Sequence, residues 1–133
     1  MQKKSLNTVE VIFFSLDYEA ILKMLRDYAR KCIEKGAKTV VLIGSLARGD
    51  YTAFSDADIV IISDNVTSKP IDRIKEFIDP TLPIDVEPRV YTTQEILGMA
   101  MKKRRIVKEI VSHGKLLAGD KKVLEQLRKL LQS

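Results

Sequence analysis

The sequence predicts a single α/β (α+β) domain built around a small sheet. Short β-branched apolar runs alternate with segments whose apolar residues recur at helical spacing, which is typical of mixed folds. No Gly/Ser/Pro-rich linker interrupts the pattern, so residues 1–133 are predicted to form one domain, with a core over about 16–117 and a C-terminal helix over 120–132. A chain of 133 residues, 45% of them hydrophobic, is long enough to bury a core.

The first half of the chain predicts a long helix followed by a buried strand. Apolar residues follow the 3.6-residue period over Leu16–Lys35, with Ser15 as N-cap and Gly36 as the stop. The run Thr39–Ile43 is continuous and β-branched, as in a strand that is covered on both faces. The segment Val9–Phe14 fits either a strand or an early helical turn.

The second half adds two strands. Asp58–Ser63 is the first, and Ile84–Tyr91 is the second. Pro88 places the second strand at an edge or a bulge, because proline donates no ladder hydrogen bond. A short helix between the strands opens at Pro70 and ends near Ile78.

The remaining residues predict two helices. Thr92 and Glu95 have the spacing of a capping box, which predicts one long helix through about Val111 that stops near Gly114. Asp120 can cap the last helix.

Charge and cysteine content are compatible with several function classes and do not select one. The net charge of +5 results from 23 basic and 18 acidic residues, so nucleic acid is a compatible partner but is not indicated. The basic run Lys102–Arg105 with Lys108 lies on a predicted helix, as a solvated face or as a surface for a polynucleotide or an acidic partner. Cys32 falls on the apolar side of the first helix and is predicted to be a core residue.

No apolar run approaches the ~20 residues that a membrane span needs. The opening residues Met1–Ser5 carry two lysines but no apolar signal core, so a cytoplasmic location is expected. The edge strand and the apolar terminal helices are compatible with a homodimer.

The turn after the first strand is a candidate phosphate site. Gly44 permits close approach of the backbone, and Ser45 offers a hydroxyl and an N–H group at the start of a short helix or turn, where anions are favoured. Arg48, about one turn later, can reach a phosphate with its forked donors.

Two carboxylates stand at the mouth of the next strand. Asp56 and Asp58 are two residues apart, so in an extended segment their side chains point the same way, roughly 7 Å apart. Carboxylates so placed can hold one or two Mg²⁺ ions, which in turn bind phosphate oxygens. A solvated acidic turn would explain the pair alone, but the pair together with the preceding turn predicts a metal–nucleotide site.

These residues combine into one motif. Gly44-Ser45, Arg48-Gly49 and Ser55-Asp56 with Asp58 match the pattern Gly-Ser-x-x-x-Gly followed by Ser-Asp-x-Asp. The motif resembles that of the nucleotidyltransferase superfamily related to DNA polymerase β, and the short chain resembles its minimal stand-alone prokaryotic and archaeal members. The resemblance implies a nucleotidyltransferase fold, with a small mixed sheet flanked by helices.

The resemblance also implies a role for each residue. Gly44 and Ser45 would hold the β- and γ-phosphates of a nucleoside triphosphate, with ATP as the default donor, and Arg48 would contact phosphate. Asp56 and Asp58 would ligate two Mg²⁺ ions, for which Mn²⁺ can substitute. The acceptor oxygen would attack the α-phosphorus in line, and pyrophosphate would leave.

A third carboxylate on the later strand would, by the same resemblance, ligate the catalytic ion and help to deprotonate the acceptor. Asp85 and Glu87 alternate, so both project from the same face of the strand. Asp85 fits by residue type, whereas Glu87 fits by its distance to Thr92 and the following helix. Glu87 is preferred, and Asp85 stays the alternative.

The first functional hypothesis is therefore an enzyme that transfers a nucleoside monophosphate from a triphosphate to a hydroxyl on a protein, an RNA or a small molecule. The chain leaves little room for a sizeable second domain that selects a long nucleic acid or a drug-like acceptor, so a partner is expected to select the acceptor. The resemblance implies that this partner is a small helical protein. Two alternatives stay open. One is an antitoxin-like or regulatory subunit of such a partner, and the other is a sensor that binds the triphosphate and Mg²⁺ without turnover.

Overall fold

A four-stranded sheet with helices on both faces forms the described part of the chain. The computed structural model describes residues 18–52 and 55–133. Their elements are α1 (Tyr18–Glu34), β1 (Thr39–Ile43), α2 (Ser45–Arg48), β2 (Ala57–Ile62), α3 (Pro70–Phe77), β3 (Val86–Tyr91), α4 (Thr93–Met101), α5 (Arg105–His113), β4 (Lys115–Gly119) and α6 (Lys122–Gln132). The strands lie in the order β3-β2-β1-β4. Because β2 is parallel to β3 while β1 is antiparallel to β2 and β4, the predicted mixed architecture is confirmed.

The two central strands are covered on both faces, which explains their continuous apolar runs. One set of alternating side chains packs with α1, and it comprises Val40, Leu42, Ile59 and Ile61. The other set packs with α4, α5 and α6, and it comprises Val41, Ile43, Val60 and Ile62. At the start of β2 this second face carries Asp58, so the candidate site lies on the side of the sheet that α5 covers.

Helix α1 lays one apolar stripe on the sheet, as its period predicts. The buried residues of the stripe are Ile21, Leu22, Leu25, Tyr28, Ala29 and Cys32. The hydroxyl of Tyr28 donates to the carbonyl oxygen of Phe77 (2.6 Å), which ties α1 to the end of α3. Ser15, the predicted first helical residues 16 and 17, and the segment Val9–Phe14 lie outside the described residues.

The prediction of one long helix from Thr92 to about Val111 is wrong. The capping box of Thr92 and Glu95 is present, but α4 ends at Met101 and α5 begins at Arg105. Between them Lys103 has a φ of 53°, and its Nζ donates to the carbonyl oxygens of two residues at the end of α6, Leu131 (3.1 Å) and Ser133 (2.9 Å). The break lets α4 and α5 both pack against α6, and this tertiary packing outweighs local helix propensity.

Strand β4 was not predicted from the sequence. It pairs with β1 in antiparallel fashion, with a register shift between Val40 and Val41. Its neighbouring leucines differ in burial, since Leu116 is exposed and Leu117 is buried, but five residues are too few to show a period of two. The strand therefore depends on its partner rather than on its own pattern. The N-cap residue of α6 is Lys121, without a side-chain cap hydrogen bond, so the predicted N-cap role of Asp120 is wrong by one position. Asp120 precedes the cap, and its side chain accepts a hydrogen bond from the amide of Lys122 (2.8 Å).

Strand β3 lies at an edge of the sheet, as Pro88 predicts, and it begins at Val86 rather than at Ile84. Its parallel pairing with β2 places Glu87 opposite Asp58. Helix α3 begins at Pro70, as predicted.

The short helix α3 is fixed to α4 by a side-chain ion pair. Buried Arg73 donates to both carboxylate oxygens of Glu95, over 2.6 and 3.2 Å. Nη1 of Arg73 also donates to the carbonyl oxygen of Val90 (3.4 Å), which ties α3 to β3.

Across residues 18–52 and 55–133, no helix has both the length and the apolar character required to cross a lipid bilayer.

Candidate active site

The turn after β1 lies directly against the carboxylate of Asp58 in β2. Gly44 has a φ of 78°, and a Cβ built on it would lie 2.4 Å from Oδ2 of Asp58. A side chain at this position would overlap that carboxylate. Glycine is therefore required both by the backbone conformation and by the space, and it brings the turn into contact with Asp58.

Ser45 links the turn to the segment that precedes Asp56. Its Oγ donates to Oγ of Ser55 (3.0 Å), and the same Oγ of Ser55 accepts from the amide of Thr52 (2.8 Å). Ser45 opens α2, whose buried residues Leu46 and Ala47 anchor the turn under the sheet. The hydroxyl of Ser45 is thus held next to Ser55, the residue that precedes Asp56.

Three carboxylates gather where β2 and β3 begin. Asp56 immediately precedes β2 and Asp58 lies within it, while Glu87 faces Asp58 across the parallel pair. The negative charge of Asp56, followed by desolvation and the charge of Asp58, raises the pKa of Glu87. The structure therefore brings Asp56, Asp58 and Glu87 into one electrostatic cluster.

Asp85, the alternative third carboxylate, lies just before β3 and is exposed. Its described contact with the region runs through the backbone, because its carbonyl oxygen accepts a hydrogen bond from the amide of Ala57 (2.8 Å). That bond fixes the start of β3 against the start of β2. The choice between Glu87 and Asp85 as the functional carboxylate stays a prediction.

A cleft of about 400 Å³ adjoins the cluster, between the turn, β3 and α5. Its lining consists of Ile43, Gly44, Ser45, Arg48, Asp58, Arg89, Arg105, Ile106 and Glu109. Gly44, Ser45, Arg48 and Asp58, which the sequence singled out, therefore share one cavity.

Arg48 lies on the cleft wall in contact with two carboxylates. Its Nη1 donates to Oε2 of Glu109 (2.7 Å), and its Nε donates to Oδ2 of Asp50 (3.4 Å). These hydrogen bonds raise the pKa of Arg48, which keeps the guanidinium charged. If Arg48 contacts phosphate as predicted, it does so while it is hydrogen-bonded to Asp50 and Glu109.

Three charged residues of the lining, Arg89, Arg105 and Glu109, were not among the predicted site residues. Arg89 follows Glu87 by two positions on the same strand, so strand alternation could have found it. Arg105 belongs to the basic run that was placed inside a continuous helix, and Glu109 lies one turn further along α5. The orientation of both depends on the break between α4 and α5, for which the sequence gives no signal.

The acidic cluster fits a divalent cation by its chemistry. Within residues 18–52 and 55–133, no group of three His, Cys, Asp or Glu side chains is arranged so that it could hold a metal ion. Asp56, Asp58 and Glu87 nonetheless offer the hard oxygen ligands that Mg²⁺ prefers, and their mutual repulsion, seen in the raised pKa of Glu87, is what a cation would relieve.

Solved structures of similar fold support the architecture. A crystal structure of a toxin–antitoxin with AMP-PNP has a TM-score of 0.57 at 18% identity, and the match covers 80% of this chain and 84% of that one. The crystal structure of "a putative nucleotidyltransferase from Sulfolobus solfataricus" has a TM-score of 0.52 at 21% identity and covers 87% and 89%. At these identities the likeness shows the fold.

The sequence comparisons identify the family. A protein of Methanocaldococcus jannaschii named "Putative protein adenylyltransferase" is 30% identical over 95 residues, and the match covers 61% of this chain and 65% of that protein. The family model described as the nucleotidyltransferase domain matches residues 22–114, a range that includes the turn, the three carboxylates and the cleft. The chain therefore belongs to the nucleotidyltransferase domain family.

Proposed function

We propose that the chain transfers AMP from ATP to a hydroxyl group of an acceptor, in a reaction that depends on Mg²⁺. The observation that carries the proposal is the packing of Gly44 against Asp58, with Glu87 in register opposite. It joins a turn suited to phosphate and a group of carboxylates suited to metal at one edge of the sheet.

The turn and the cleft would bind the triphosphate. The amide groups at Gly44 and Ser45, with the hydroxyl of Ser45, would receive the β- and γ-phosphates, and Arg48 would add a charged donor. A cavity of about 400 Å³ lies within the range of about 300–1,000 Å³ that small-molecule sites occupy.

The carboxylates would hold the cation and the acceptor proton. Asp56, Asp58 and Glu87 would ligate two Mg²⁺ ions, which when bound offset negative charge on the phosphate oxygens, a role that Mn²⁺ can also fill. The acceptor oxygen forms a bond to the α-phosphorus while the bond from that phosphorus to the bridging oxygen of the β-phosphate breaks. Pyrophosphate leaves, and the acceptor proton passes to the carboxylate of Glu87.

The comparisons support ATP as donor and a protein as acceptor. The name of the Methanocaldococcus jannaschii relative describes an adenylyltransferase that acts on proteins. One structure of similar fold was solved with AMP-PNP. The chain spans 65% of that relative's length, so the acceptor is part of the proposal. A small helical protein is the partner that we propose, as the acceptor or as the subunit that selects it.

A transfer assay with two labels tests the proposal. The protein is incubated with Mg²⁺, a candidate helical partner, and ATP labelled at either the α- or the γ-phosphate. We expect label in the acceptor from α-labelled ATP and none from γ-labelled ATP, with equivalent release of pyrophosphate. The variant D56N/D58N should lose transfer, whereas D72N, which alters an aspartate of α3 away from the cleft, should retain it. Transfer of the γ-label instead would identify a kinase and contradict the proposal.

A second candidate function is an antitoxin-like subunit whose role is its contact with a helical partner. It is favoured by the fold likeness to a toxin–antitoxin structure. Co-expression distinguishes the two functions. If D56N/D58N still neutralises a toxic partner as well as the unaltered chain does, then binding rather than catalysis is the function. If the chain binds AMP-PNP and Mg²⁺ but transfers nothing to any partner, then it is a nucleotide sensor.

A further inference from the structure

Glu109 of α5 makes the shortest contact described for Arg48. The two side chains come from segments 61 positions apart and meet through Nη1 and Oε2 at 2.7 Å. Both are partly sheltered, since the exposed fraction is 34% for the side chain of Arg48 and 25% for that of Glu109. The contact is a charge-assisted hydrogen bond between two side chains that stay accessible to solvent.

The contacts of Arg48 leave part of its guanidinium available. Nε donates to Asp50 and Nη1 donates to Glu109, and within the described contacts Nη2 has no partner. An arginine carries five N–H donors, so a group anchored at these two nitrogens still presents the donors of Nη2. Anchoring fixes the direction in which those donors point.

The charges that line the cleft indicate that Glu109 does more than repel an anionic ligand. Three arginines line the cavity, Arg48, Arg89 and Arg105, against two carboxylates, Asp58 and Glu109. The negative charge of Glu109 is opposed at 2.7 Å by Arg48 itself. The side chains that line the cavity therefore include one more cation than anion, which favours an anionic ligand.

We infer that Glu109 is a positioning residue that holds Arg48 on the cleft wall for the triphosphate of the nucleotide. The inference rests on the proposed function, because it assigns Arg48 to the phosphates of the donor. Without Glu109, Arg48 keeps only its longer contact with Asp50 (3.4 Å), so more of its ordering takes place when nucleotide binds, and the entropic cost of that ordering weakens the affinity.

Calorimetric titration with AMP-PNP and Mg²⁺ tests this role. We expect E109A to weaken binding about three- to tenfold, the range that ordering one long side chain corresponds to. E109Q keeps an acceptor oxygen for Nη1, so its loss should be smaller than that of E109A. E125A, which removes an exposed glutamate of α6, is the matched control and should bind as the unaltered chain does. Thermal unfolding of each variant confirms that it is folded.

A double-mutant cycle shows whether Glu109 acts through Arg48. R48A should weaken binding by itself, and R48A/E109A should bind no more weakly than R48A. Additive losses, or an E109A variant that binds as tightly as the unaltered chain or more tightly, would overturn the role of Glu109 and leave the proposed function standing. Absence of AMP-PNP binding by the unaltered chain with Mg²⁺ would instead overturn the proposed function, and this role with it.

Discussion

Gly44 and Asp58 are so close that residue 44 has no room for a side chain, since a Cβ there would lie 2.4 Å from Oδ2 of Asp58. The turn at residue 44 and the first residues of β2 therefore form one unit. This contact explains why the phosphate-type turn and the carboxylate pair occur together in the motif, because displacing one of them displaces the other.

The first prediction is that G44A loses both stability and nucleotide binding. Gly44 has a φ of 78° and a ψ of −161°, a backbone conformation that almost only glycine adopts. Other residues adopt it at a cost of about 1–3 kcal/mol. The new methyl group would also push the carboxylate of Asp58 away from the turn. Urea denaturation and titration with AMP-PNP and Mg²⁺ measure the two effects.

G98A is the control for this substitution. Gly98 lies inside α4, and a Cβ built on it meets no atom within 4 Å. Alanine should therefore stabilise the helix by up to about 1 kcal/mol and leave nucleotide binding unchanged. Equal losses in G44A and G98A would contradict the close-approach explanation.

The second prediction separates Glu87 from Asp85. E87Q should lower the rate of AMP transfer at least ~100-fold, because it removes both a cation ligand and the proposed proton acceptor. D85N should change the rate by no more than about twofold, since the described contact of Asp85 runs through its backbone carbonyl oxygen, which the substitution keeps. The ratio of the two rates, measured with α-labelled ATP, checks the assignment. A larger loss in D85N than in E87Q would assign the role to Asp85.

The third prediction concerns the acid stability that Glu95 provides. Its hydrogen bonds with Arg73, followed by that with the backbone of Thr92, hold the pKa of Glu95 below its usual value. A lowered pKa in the folded state stabilises the fold above the unfolded value of about 4.3, and this contribution is lost as the pH falls through the folded value. E95Q should be less stable than the unaltered chain by about 1 kcal/mol at pH 7, a modest figure because Glu95 is half exposed.

Urea denaturation of E95Q and of the unaltered chain, measured from about pH 7 to about pH 3, checks this sign. The difference between their free energies of unfolding should shrink toward the acid end. Asp64 and Asp79 also have lowered pKa values but are present in both proteins, so their contributions cancel. Curves that stay parallel over the whole range would show that Glu95 does not contribute through its charge.

The sequence predicts the centre of the molecule well because its signals there are local and strong. Thr39–Ile43 is buried as a strand, and the period of α1 matches its buried stripe. Gly44, Ser45 and Asp58 line one cleft, because the turn and the start of β2 lie close together in the chain. The roles of these residues and of Asp56 stay predictions.

The periphery is less predictable because it depends on contacts distant in sequence. The helix break at Lys103 is stabilised by carbonyl groups at the end of α6, and β4 exists through its pairing with β1. Glu109 reaches Arg48 only because that break reorients α5. Helical spacing carries no information about such contacts, so a continuous helix was the expected result.

The most direct test of the metal–nucleotide site is a crystal of the chain with AMP-PNP and Mn²⁺, analysed by anomalous scattering. We expect a Mn²⁺ peak among the carboxylates of Asp56, Asp58 and Glu87, with the triphosphate against Gly44 and Ser45. A nucleotide bound elsewhere, such as in the separate cavity between α3 and α4, or a Mn²⁺ peak away from these carboxylates, would contradict it.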